Sequence, residues 1–115
     1  MNIENQNQEL TSKDIENAYI RISPILKDTP IHTNSLFNNL IGKNVYFKCD
    51  NFQKTGSFKI RGALNSVLNR FSAENLTKNE YLKGCATHST GNHGAAVAWA
   101  CNYIKTPCYV ILPTN

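Results

Sequence analysis

The segment from Gly84 to Ile104 constrains the fold of this 115-residue chain more than any other. Gly84-Cys85-Ala86-Thr87 reads as a short buried strand, and Ala95 to Ile104 (A-A-V-A-W-A-C-N-Y-I) as a helix apolar nearly all round. Such a helix has little face suited to water, so other elements must cover it. Between the two lies T-H-S-T-G-N-H-G, Thr87 to Gly94. A strand, a Ser/Thr/Gly/Asn turn and a buried helix together make an anion site. The first N–H groups of the helix and the positive end of its dipole point into the turn. Gly91 and Gly94 permit close backbone approach, while Ser89, Thr90 and Asn92 add neutral hydrogen-bonding groups. By itself the same stretch also describes an ordinary capped helix start.

About thirty residues earlier, F-Q-K-T-G-S-F-K-I-R-G-A (Phe52 to Ala63) sets Lys59 directly after Ser57 and Phe58. From Ile60 the apolar residues fall at Ile60, Ala63, Leu64, Val67, Leu68 and Phe71, a helical stripe. The lysine therefore stands at a helix start, where core meets loop. Partial burial there disfavours the ammonium and leaves a neutral, nucleophilic amine, as Schiff-base chemistry with an aldehyde cofactor requires. An isolated lysine in this position would be read as a snorkelling side chain. This one is accompanied by the turn at Thr87 to Gly94.

The remaining elements are read from caps and alternation. Residues 1–10 form a polar, Asn- and Gln-rich lead-in expected to be disordered. Thr11 caps a helix with Asp14 at its third position, Leu10 and Ile15 staple its start, and Ile15, Ala18, Tyr19 and Ile22 form its buried stripe up to Pro24. Ile31 to Thr33 is extended, and Asn34 or Ser35 caps a short helix stopped by Gly42. Val45, Phe47 and Cys49 alternate with Tyr46 and Lys48 as a strand, polar residues connect Ser72 to Glu80, and Cys108 to Leu112 is a further buried strand. Strands alternating with helices predict an α/β fold with a parallel sheet.

Composition narrows the function. The formal net charge is +4, but the twelve Lys and Arg are scattered, without a basic run or interleaved aromatics, which argues against nucleic acid and suits small anionic ligands. Cys49, Cys85, Cys101 and Cys108 have no C-x-x-C spacing and read as buried free thiols of a reducing compartment. His88 and His93 flank a turn with poor metal-ligand spacing, so no metal site is argued from them. The start, M-N-I-E-N-Q-N-Q-E, lacks the basic and apolar regions of a targeting segment, and no membrane span is visible, which gives a cytoplasmic expectation. A nucleotide-binding α/β domain would need G-x-G-x-x-G or a Walker motif, and neither is present.

Taken together, S-F-K-I-R-G-A and H-S-T-G-N-H-G resemble the pyridoxal-phosphate enzymes of the serine racemase and serine/threonine dehydratase family. The wider block K-C-D-N-F-Q-K-T-G-S-F-K-I-R-G-A, Lys48 to Ala63, is more similar to eukaryotic serine racemases than to bacterial dehydratases. The resemblance runs from about Ile15 to the end of the chain. It implies a partial tryptophan synthase β-like fold, a parallel sheet with flanking helices. Residues 11–75 would belong to the large domain, including the lysine helix, and residues 76–115 would begin the small domain.

The resemblance also implies roles. Lys59 carries pyridoxal 5'-phosphate as a Schiff base and acts as the base on one face of the substrate Cα. Phe58 lies against the pyridine ring, and Asn92 bonds the ring hydroxyl. Ser89, Thr90, Gly91, Asn92 and His93 hold the carboxylate of an amino acid such as L-serine or L-threonine. Thr90 departs from the family: racemases have serine there, as the acid/base on the opposite face of Cα, and dehydratases commonly alanine. Its hydroxyl can still move a proton, although its methyl restricts χ1. The implied activity is racemisation with accompanying β-elimination; dehydration alone, or a non-catalytic remnant, are the alternatives. The six glycines are all separate, so the family's glycine-rich phosphate loop is not among these residues, nor are its later divalent-cation carboxylates. The expectation is a truncated chain, inactive alone, and a homodimer if complete.

Overall fold

The computed structural model describes residues 9–72, residue 79 and residues 83–114. The expected disorder of residues 1–8, the domain boundary at 75/76 and most of the connector from 72 to 80 therefore lie outside the described residues. The chain is mixed α/β, as the alternation of patterns predicts.

Helix α1 (Ser12–Ile22) starts with a reciprocal cap. Thr11 Oγ1 accepts from the Asp14 N–H at 3.3 Å, and Asp14 Oδ2 accepts from the Thr11 N–H at 2.8 Å. Its expected buried stripe is corrected: Ile22 is buried and Ala18 half-buried, but Ile15 and Tyr19 are exposed, as is Leu10. The reason is where α1 touches the core. Ile22 joins it, and Arg21 donates to Asn65 of the later lysine helix, both at the C-terminal end of α1.

Strands β1 (Ile31–His32) and β2 (Phe47–Lys48) flank helix α2 (Ser35–Ile41). Asn34 caps α2 by accepting from the Phe37 N–H at 3.0 Å, and Gly42, at φ 69°, reverses the chain after it. The strands pair antiparallel, Ile31 with Lys48 and His32 with Phe47, so the expectation of a parallel sheet fails here. The second strand is also shorter than the alternation from Val45 to Cys49 suggests. Asn38 Oδ1 takes the Val45 N–H at 3.0 Å, out of the ladder, and Asp50–Phe52 then closes into a 3-10 helix.

Helix α3 (Lys59–Arg70), strand β3 (Cys85–His88), helix α4 (Asn92–Tyr103) and strand β4 (Cys108–Ile111) follow among the described residues. β3 and β4 pair parallel from Cys85–Cys108 to His88–Ile111, with α4 as the crossover. Ile60, Ala63, Leu64 and Val67 of α3 pack against Ala96, Val97, Ala100 and Cys101 of α4 as the core, with Leu68 and Phe71 half-buried beside them. The lysine-helix stripe is thus borne out. The other two readings need correction. α4 begins a turn earlier than Ala95 and leaves Ala95, Asn102 and Tyr103 exposed. β3 alternates half-buried and exposed residues, and Tyr109, Val110 and Ile111 of β4 are exposed, because among the described residues only α4 packs across both strands. No helix among the described residues is long and apolar enough to cross a membrane.

Candidate active site

Lys59 is the first residue of α3, and Phe58 precedes it with helical backbone but no side-chain capping bond. The loop leading there is pinned by Gln53, which is only 4% exposed. Its Oε1 accepts from the N–H groups of Lys27 at 3.1 Å and Lys54 at 3.0 Å, and its Nε2 donates to the Lys27 carbonyl at 2.8 Å. Eleven residues before Arg61, Asp50 receives the guanidinium in a fork: Nε to Oδ2 at 2.6 Å and Nη2 to Oδ1 at 2.8 Å. Thr29 Oγ1 donates to the same carboxylate at 2.6 Å. The Arg61 hydrogen bonds pull the Asp50 carboxyl down to about 2, and Asp50 in turn raises Arg61.

The expected partial burial of Lys59 is not found: Lys59 is exposed, and Phe58 is 61% exposed. Successive helical residues are about 100° apart, so with Ile60 wholly buried against α4 its neighbour Lys59 turns to the open side. There the ammonium lies 5.1 Å from the centre of the Phe58 ring.

Lys59 opens onto a cleft of about 520 Å³ between α3 and the β3–α4 unit. Phe58, Lys59, Arg61 and Ser66 line the α3 side, with Gly62, Ala63 and Val67. Cys85, Ala86 and Thr87 come from β3, and His93 and Val97 from α4. Of the residues singled out in the sequence, Phe58, Lys59 and His93 meet in this cleft. Ser89, Thr90, Gly91 and Asn92 lie on the adjoining turn and are not part of its lining. In that turn Ser89 Oγ accepts from the Gly91 N–H at 3.2 Å, and no side chain caps the helix at Gly91. Gly94 is buried beneath it. A Cβ at this position would stand 2.9 Å from the Ser89 carbonyl oxygen and 3.1 Å from Val110, which explains a glycine in the first turn of α4.

Arg61, Ser66, Cys85 and Thr87 were not foreseen in the cleft. Arg61 carried a signal, since a cation between buried Ile60 and Ala63 calls for a nearby acid. All four cysteines are free, but only Cys101 is fully buried; Cys49, Cys85 and Cys108 are half-buried. Burial, and then the neighbouring Cys85 and Cys108 thiols, push the Cys101 thiol up, which keeps it protonated. Among the described residues no three His, Cys, Asp or Glu side chains are grouped to hold a metal ion.

Known proteins with this arrangement are readily found. The pyridoxal-phosphate dependent enzyme family matches residues 22–115. The serine racemase of Dictyostelium discoideum is 47% identical over 106 residues, which are 92% of this chain and 31% of that protein. A crystal structure of serine racemase from the same organism superposes with a TM-score of 0.81 at 46% identity, over 92% of this chain and 33% of that one. The crystal structure of a T.th. threonine deaminase gives a TM-score of 0.75 at 36% identity, over 90% of this chain and 31% of that one. The chain thus spans about a third of the length of such relatives. With the lysine helix, the Ser89–His93 turn and the parallel β3–α4–β4 unit all inside the matched region, the chain belongs to the family of pyridoxal-phosphate dependent enzymes.

Proposed function

We propose that these residues form the lysine-bearing part of a pyridoxal-phosphate site that racemises serine and also eliminates water from serine or threonine, with hydrolysis of the resulting enamine releasing ammonia and the keto acid. One observation carries the reading: Lys59, Phe58 and His93, from two separate sequence motifs, line a single cleft. The cleft suits the cofactor. Its volume lies within the roughly 300–1,000 Å³ of small-molecule sites. Its lining brings the cations of Lys59 and Arg61 beside apolar Phe58 and Val97.

When bound, the cofactor supplies the electron sink that makes the substrate Cα–H acidic. Lys59 Nζ would hold the cofactor and move the proton on one face of Cα. Phe58 would lie against its ring, and the Asn92 side-chain amide would bond its hydroxyl. The N–H groups and hydroxyls of the Ser89–His93 turn, at the uncapped start of α4, receive the substrate carboxylate. Thr90 Oγ1 gives or takes the proton on the opposite face. Dehydration without racemisation is the second reading, favoured by the likeness to threonine deaminase and to the β-hydroxyaspartate dehydratase of Paracoccus denitrificans, 41% identical over 103 residues. The division into a large-domain part at residues 11–75 and a small-domain part from residue 76, the cytoplasmic location and a homodimeric complete form belong to the same proposal.

The test joins residues 1–115 to the remaining length of the Dictyostelium serine racemase and assays L-to-D serine conversion and pyruvate release. Both activities are expected, and both vanish with Lys59→Ala. Thr90→Ala is expected to depress racemisation on the order of a hundredfold while sparing pyruvate release, the scale of a lost general acid. Activity persisting in Lys59→Ala overturns the reading; an unchanged product ratio in Thr90→Ala assigns the dehydratase instead.

A further inference from the structure

We infer that Asp50 is a positioning residue for Lys59, acting through Arg61 to set the orientation of the first turn of α3. The inference rests on the reading of Lys59 as the reacting amine.

The start of α3 needs an external anchor. α1 and α2 begin with side-chain caps, from Thr11 and Asn34, whereas α3, like α4, begins with no side-chain cap and no acidic residue in its first turn. Its first turn includes a 3-10-type bond, from the Arg61 N–H to the Phe58 carbonyl at 3.0 Å. An uncapped helix start frays. The amine at its first position would then have no defined place in the cleft.

Asp50 supplies the anchor. Two parallel bonds from a planar guanidinium to both carboxylate oxygens fix a plane as well as a distance, which a lysine could not do. The pair is shielded, with the Asp50 side chain 13% and the Arg61 side chain 31% exposed. Asp50 is itself held. Buried Thr29 donates to it, the Thr29 carbonyl accepts from Lys48 Nζ at 2.7 Å, and Gln53 ties the Lys27 backbone to the same loop. The chain from Lys27 to Thr29 is thereby bonded to the lysine loop at two points. Arg61 lines the cleft, but its fork is committed to Asp50, so its role there is orientation of the helix end.

The test reads the chain itself, without cofactor. Amide hydrogen exchange at Arg61, Gly62 and Ala63 is compared with exchange at Val67 to Arg70. The rate of Lys59 acetylation by acetic anhydride is measured against that of Lys105. Asp50→Asn and Arg61→Lys are expected to speed first-turn exchange about tenfold or more while the last turn is unchanged, and to shift the Lys59 acetylation ratio by about threefold. Asp50→Glu, which keeps a carboxylate, should return both readouts to within about threefold of the parent. If Asp50→Asn does not fold, Thr29→Val, which leaves the ion pair in place, is expected to give a smaller rise confined to the first turn. Unchanged first-turn exchange in a folded variant, or a rise spread evenly along α3, overturns the inference. Because turnover is not read, this outcome is separable from failure of the proposed activity.

Discussion

Replacing Gly84 with alanine should be the most damaging single-methyl change at a glycine of this chain. Gly84 has φ 73°, and a Cβ built on it would stand 2.2 Å from the Pro107 carbonyl oxygen, 2.7 Å from its carbon and 2.8 Å from the Pro107 Cβ. That same oxygen accepts the Cys85 N–H at 2.9 Å, the contact that starts the parallel pairing of β3 and β4. The obstacle is backbone, so no rotamer change can relieve it. Holding alanine in the left-handed region costs about 1–2 kcal/mol. Overpacking adds about 1–3 kcal/mol, and a weakened backbone bond about 1 kcal/mol. The parts overlap, so a total of roughly 3–5 kcal/mol is expected. Gly42→Ala is the control. It shares the left-handed backbone, at φ 69°, but its Cβ meets nothing within 4 Å, leaving only the conformational cost of about 1–2 kcal/mol. Urea unfolding followed by the fluorescence of Trp99 on α4 measures both. With a urea dependence of about 1–3 kcal/mol per molar, Gly84→Ala should unfold on the order of 1 M below Gly42→Ala. Equal midpoints would refute the claim that Pro107 closes this position. Since Cys85, Ala86 and Thr87 line the cleft, the same shift should also deform its β3 wall.

Two further outcomes follow from the core and the ion pair. Leu64 is wholly buried between α3 and α4, so Leu64→Ala should cost about 2–5 kcal/mol in the same urea assay, and a cost below about 1 kcal/mol would place Leu64 outside the core. Asp50 is held at about 2 against an ordinary 3.8, chiefly by its hydrogen bonds to Arg61. A carboxyl lowered by folding contributes stability that is complete above its unfolded value and lost as pH falls toward the folded one. The pair should therefore contribute up to about 2 kcal/mol above pH ~4 and lose it between pH ~4 and ~2. Stability measured down to pH ~2 should fall less steeply for Asp50→Asn than for the parent, and parallel curves would refute the assignment.

What could be read from the sequence divides along the distance over which each feature is decided. The caps at Thr11 and Asn34, and the reversal at Gly42, involve groups within a few residues of each other, and all are found. The α3 stripe is equally legible, because four of its apolar residues meet one partner, α4. The antiparallel pairing of β1 with β2 was not legible. It depends on Pro30 meeting Cys49 across α2, and on Asn38 drawing the Val45 N–H out of the ladder. An apolar pattern also records which residues share a face without recording whether that face is covered. Ile15 and Tyr19 of α1, and Tyr109, Val110 and Ile111 of β4, carry core-like patterns and are exposed.

The candidate site follows the same division. Phe58, Lys59 and His93 were legible because each sits beside a helix start, and helix starts can be located from local signals. Arg61, Cys85 and Thr87 entered the cleft only through the packing of α3 against α4, which sets how the lysine helix faces β3. The burial foreseen for Lys59 fails for a related reason. Periodicity orders Lys59 and Ile60 about 100° apart, so α4, by burying Ile60, turns Lys59 away from the core. An exposed first-turn lysine cannot draw its placement from surrounding side-chain packing. Its placement must come from the helix backbone, and the strongest side-chain hold on that turn is the Arg61–Asp50 fork.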